Sequence, residues 1–137
     1  MNIKDKWSKI FHTVDGEIQN AYQTYDKVSD LLDARDRRPD FSRQKELDDM
    51  VAETEKLITE LLNNYEGKKN WPGVFREMHM NLARIWMRTG RHEDAMKQCD
   101  KVAEYNPVDA DELREVIQEA ISGKTHGSAQ LDEVGIG

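Results

Sequence analysis

The stretch "NLARIWMRTGRHEDAMKQCDKVAEYNP", residues 81–107, decides how this chain is read. Its apolar residues fall into two helical sets, and "RTGRHED" lies between them. Leu82, Ile85 and Trp86 continue the spacing of Val74, Phe75 and Met78, which predicts a helix from about Val74 to Arg88. Gly90 can take the left-handed conformation that ends a helix without a Cβ penalty. Glu93 and Asp94 then put negative charge in the first turn of a second helix, where the helix dipole favours it. That helix carries Ala95, Met96, Cys99, Val102 and Ala103 and stops before Pro107. The stretch therefore reads as two short helices folded back on each other, a hairpin over 74–107.

Downstream, "DADE" opens a further helix over 110–122, with Asp109 capping free N–H groups and Glu112 reaching back toward it. Its apolar set is Leu113, Val116, Ile117, Ala120 and Ile121, and Gly123 ends it. Residues 123–137 carry no apolar stripe and read as a flexible acidic tail.

Upstream, Trp7, Phe11, Val14, Ile18, Ala21, Tyr25, Val28 and Leu32 recur in steps of four and three, one stripe of a long helix. Gly16 is its weak point, costing roughly 1 kcal/mol relative to Ala in a helix interior. Pro39 and the charges of "DARDRRPDF" stop it. A second stripe follows in Leu47, Val51, Thr54, Ile58, Leu61 and Tyr65, with Ser42 as the expected N-cap. Two such helices over 7–65 form a long antiparallel hairpin. Their stripes serve either as a shared core or as a coiled-coil surface between chains.

Composition agrees with this helical reading. The 137 residues suffice for one domain, here a single helical domain over 1–122, and only 8 Gly and 3 Pro interrupt the chain. The expected fold class is all-α. Apolar residues make up 37% and the mean hydropathy is -0.86, as in an elongated helical protein with much exposed surface. A formal charge of -7 argues against nucleic acid as a partner, since phosphate binding needs a basic field. The charge is uneven: residues 74–107 hold six Arg or Lys against five acids, and 108–137 hold two against seven. The N-terminus "MNIKDKWSKIFHTVDGE" has no long apolar run, so neither a signal peptide nor a membrane span is expected. With one cysteine, Cys99, and hence no internal disulfide, a cytoplasmic location is the expectation.

The hairpin resembles a tetratricopeptide repeat, a helix-turn-helix unit of about 34 residues found in stacked arrays. Leu82 and Ala83 stand where that family has a large apolar residue followed by a small one. Trp86 takes the aromatic place, Gly90 the turn glycine, and "HEDA" the entry to the second helix, with Ala95 as the small packing residue. Val102 and Pro107 match the later small-apolar and closing-proline places. His79 stands where the family has Trp, and Cys99 where it has Tyr or Phe. One repeat, at about 76–109, is matched, and 110–122 resembles the capping helix that follows a last repeat. A single repeat leaves an apolar face that its neighbours must cover.

The resemblance implies a superhelical fold and a groove lined by the first helix of the repeat. Carried onto this chain, that face comprises Glu77, Met80, Arg84, Met87 and Arg88. Arg84 stands where some members grip a C-terminal carboxylate, but Met80 occupies the place of the Lys that such a grip needs. What remains is a Met/Arg surface offering adaptable apolar contact and charge-assisted hydrogen bonds.

Reactive constellations are lacking in the sequence. His12, His79, His92 and His126 have no His or Cys partner at metal-ligand spacing, so no metal is expected. Cys99 lies on an apolar stripe and reads as a buried structural thiol. "SGKT", 122–125, has Gln118 where a phosphate-binding loop needs Gly. Pairs such as Asp48-Asp49 and Asp132-Glu133 read as solvated charge. The chain is therefore expected not to be an enzyme and to need no cofactor. It is expected to be a scaffold, adaptor or co-chaperone that holds a peptide or helix of a partner protein. The alternative is a homo-oligomer assembled through the N-terminal stripes. A further idea places the acidic tail back on the Arg84/Arg88 face.

Overall fold

The structure, a computed structural model, describes residues 14–123. Among them are five α-helices and no strand: α1 (Val14–Arg37), α2 (Gln44–Tyr65), α3 (Pro72–Arg88), α4 (His92–Tyr105) and α5 (Pro107–Ile121). The fold is all-α. Trp7, Phe11, His12 and the tail with His126, Asp132 and Glu133 lie outside the described residues, as do the last two residues of "SGKT". The chain divides into two compact units, Met1–Met78 and His79–Gly137.

In the first unit α1 packs against α2. Tyr65 at the end of α2 lies beside Glu17 near the start of α1, whose carboxylate raises the phenol above its ordinary pKa, so the two helices run antiparallel. Ala21, Val28, Leu31 and Leu32 of α1 are buried, as are Leu47, Ile58, Leu61 and Leu62 of α2. Each such Leu or Ile contributes roughly 1.5–3 kcal/mol on leaving water. Ala21, Val28 and Leu32 belong to the expected stripe. Ile18, Tyr25 and Val51 are only half-buried, whereas Leu31 and Thr24 face inward as well. Buried Thr24 and Thr54 donate their hydroxyls to the Asn20 and Met50 carbonyls, both at 2.7 Å, so neither hydroxyl is left unsatisfied. Gly16 is buried within α1 and does not end it.

Ser42 is not the cap of α2. The N-cap is Arg43, whose side chain makes no capping bond and instead forks onto Glu46 at 2.7 Å through both Nε and Nη2. With Arg43 at the cap, Ser42 stands one residue outside the helix.

The α2–α3 connection turns at Gly67. Glu66 sits at φ -65° and ψ 129°, Gly67 at φ 87°, and Lys68 N–H donates to Tyr65 O at 3.0 Å. That is a type II turn, whose third residue needs a positive φ. Trp71 follows, tilted against Tyr65 at 5.5 Å and Phe75 at 6.0 Å between ring centroids. The helix α3 opens at Pro72, slightly earlier than the apolar spacing indicated, because proline loses no hydrogen bond at a first helical position. Phe75 and Met78 of this unit are buried.

In the second unit the "RTGRHED" turn forms as expected. Gly90 has φ 88°, Gly90 N–H donates to Met87 O and Arg91 N–H to Trp86 O at 2.7 Å. These paired bonds define a Schellman closure of α3. The Arg91 guanidinium lies 4.5 Å from the Trp86 ring centroid and pairs with Asp94. A core cluster joins Ala83, Ala95, Cys99, Val102, Ala110, Leu113 and Ile117. Ala83 and Ala95 are fully buried, so the small residues are in the hairpin's interior.

Asp109 does not cap α5. Asn106 does: its side-chain oxygen accepts from Val108 N at 3.0 Å and Asp109 N at 3.1 Å, and Pro107 takes the first helical position. Asn106 is extended (φ -153°, ψ 102°), which aims its short side chain at the exposed N–H groups. Pro107 therefore begins a helix as well as closing the previous one. Only Leu113 and Ile117 of the expected α5 stripe are buried, joined by Ala110, while Val116 and Ile121 are exposed. Each lies well round the helix, or beyond the last turn of packing, from the buried line.

Candidate functional site

The expected groove residues all lie on α3. From Val74 to Arg88 this helix has no fully exposed residue. Four of the five candidates, Met80, Arg84, Met87 and Arg88, belong to the second unit and are half-buried. At 3.6 residues per turn they occupy about 100° of arc and about 12 Å of helix length, a single narrow stripe. Glu77 is also half-buried but falls in the first unit, where its charge, after burial, raises the Tyr22 phenol above its ordinary pKa. Arg76 opposes that shift and shares the helix with Glu77. It has the same residue type and spacing as the candidates, and sequence reading passed over it.

The four residues differ in how they are held. Met80 and Met87 pack against the edge of the second-unit core while remaining partly accessible. Arg84 donates from Nη1 to the Oδ1 of buried Asn81 at 3.0 Å, which orients its guanidinium. Asn81 was not singled out in sequence, although a polar residue three positions before Arg84 is the spacing at which two helical side chains meet. The stripe thus has two deformable thioethers and at least one oriented guanidinium. As residue types, methionines offer adaptable apolar contact and arginines charge-assisted hydrogen bonds.

His79 and Cys99, the two departures from the repeat pattern, are both buried. The His79 Nδ1 lies 2.7 Å from Gln98 Oε1, and its ring stacks on Tyr105 at 6.3 Å between centroids. The imidazole thereby ties α3 to two turns of α4. Burial raises the Cys99 thiol above its ordinary pKa, which the Arg114 charge only partly offsets. Since the thiolate is the nucleophilic form, this shift disfavours nucleophilic reactivity at Cys99. His92 keeps a buried Nδ1 with no hydrogen-bond partner beside the α3–α4 turn. Among the described residues, no group of three or more His, Cys, Asp or Glu is placed to hold a metal ion. None of the described helices is long and apolar enough to cross a membrane.

One feature has no counterpart in the sequence reading. A cleft of about 490 Å³ in the first unit is lined by Lys27, Asp30, Leu31 and Ala34 of α1 together with Arg43, Glu46 and Met50. Its two cations and two carboxylates leave it without net charge, and the Arg43 guanidinium is already engaged by Glu46.

Comparisons with protein-family models, with curated proteins and with solved structures find no match to this chain.

Proposed function

We propose that this chain is a protein-binding helical module, acting as a scaffold, adaptor or co-chaperone. It holds a peptide or helix of a partner on the α3 stripe of Met80, Arg84, Met87 and Arg88. The observation that carries the reading is the half-exposure of this stripe on a helix with no fully exposed position from Val74 onward. A partner side chain seated between Met80 and Met87 adds apolar burial, and the arginines set its orientation through charge-assisted bonds. Further support comes from the hairpin itself: fully buried Ala83 and Ala95, the Gly90 closure and the following α5 match the plan of a tetratricopeptide-like unit. The module is cytoplasmic on this reading.

The test is capture of partners from native extract by wild type and by an Arg84→Glu, Arg88→Glu double variant whose helicity is checked by circular dichroism. A protein captured by wild type and lost by the folded variant supports the stripe as the binding face. Equal capture by both removes it. Sedimentation of the isolated chain addresses self-association through the N-terminal stripes. Within the described part of the first stripe, Ala21, Val28 and Leu32 are buried and Val14, Ile18 and Tyr25 half-buried; a monomer at high concentration removes the homo-oligomer reading, and a dimer supports it.

A further inference from the structure

We draw no further inference here: the strongest candidate, the apolar end of α5 at Val116, Ala120 and Ile121, is left partly or wholly exposed, and nothing in the structure shows what covers it.

Discussion

Gly90 and Gly73 offer a controlled pair for asking what closes the α3–α4 turn. A Cβ added at either position meets no heavy atom within 4 Å, so neither Gly→Ala substitution creates a clash. The two differ in backbone. Gly90 has φ 88°, where an L side chain crowds its own following carbonyl, whereas Gly73 lies in the first turn of α3 without a positive φ. Left-handed strain costs roughly 1–2 kcal/mol for a residue with a Cβ. Against this, Ala restricts the unfolded chain and returns about 0.4–1 kcal/mol. Gly90→Ala is therefore expected to destabilise by about 1 kcal/mol. Gly73→Ala gains the unfolded-state term and better helix propensity, and is expected to stabilise by about 0.5 kcal/mol. In a chain of this size those changes correspond to roughly 3–4 °C down and about 2 °C up in melting midpoint. Urea titration followed by far-ultraviolet circular dichroism reads both. If Gly90→Ala were neutral or stabilising while Gly73→Ala behaved as expected, the left-handed closure by Gly90 would be refuted.

The capping assignment makes a second contrast. Asn106→Ala removes the acceptor for Val108 and Asp109 N–H and should cost about 1 kcal/mol, with faster hydrogen exchange at those two amides. Ser42→Ala should change stability by less than about 0.5 kcal/mol, because Ser42 is exposed and Arg43 holds the cap position. The raised pKa of Cys99 has a defined sign. Above the ordinary thiol range the unfolded chain loses this proton before the folded one does, so stability is full below that range and falls as pH rises through it. Denaturation midpoints across that range should show the decline in wild type and a shallower one in Cys99→Ala. Finally, Arg114 reaches Asp100 of α4 and Asp111 of its own helix on the surface, at 2.9 and 3.0 Å. Arg114→Ala should cost less than about 1 kcal/mol, and the difference should shrink in molar salt; a salt-independent loss would assign Arg114 to packing.

Much of the helical layout was legible because its signals are local. Gly90 ends a helix through its own φ, and a residue with that freedom is visible in sequence. Alanines at 83 and 95 marked a close approach of helices because size alone permits it. Caps were less legible. Ser42, Arg43, Asn106 and Asp109 differ by one or three positions in chains of polar residues, and only backbone direction decides which side chain meets a free N–H. Asn106 wins because it is extended at φ -153° and Pro107 fixes the next residue in helical conformation. For the site, Glu77, Met80, Arg84, Met87 and Arg88 came as a set only through the resemblance to a tetratricopeptide repeat. The Asn81 contact that orients Arg84 was not legible, since burial of a polar residue is no property of its type.

The sequence by itself determined the helical class, the Gly90 closure and the small-residue packing of the hairpin. These follow from periodicity, φ preference and side-chain volume, all of which act over a few residues. Tertiary structure alone decided that Thr24 and Leu31 join the first core, that Val116 and Ile121 stay outside the second, and that His79 is pinned between Gln98 and Tyr105. Those outcomes depend on which surface a second helix happens to cover. A stripe fixes the side of a helix that prefers to be buried; the neighbour's length and position fix how much of it is.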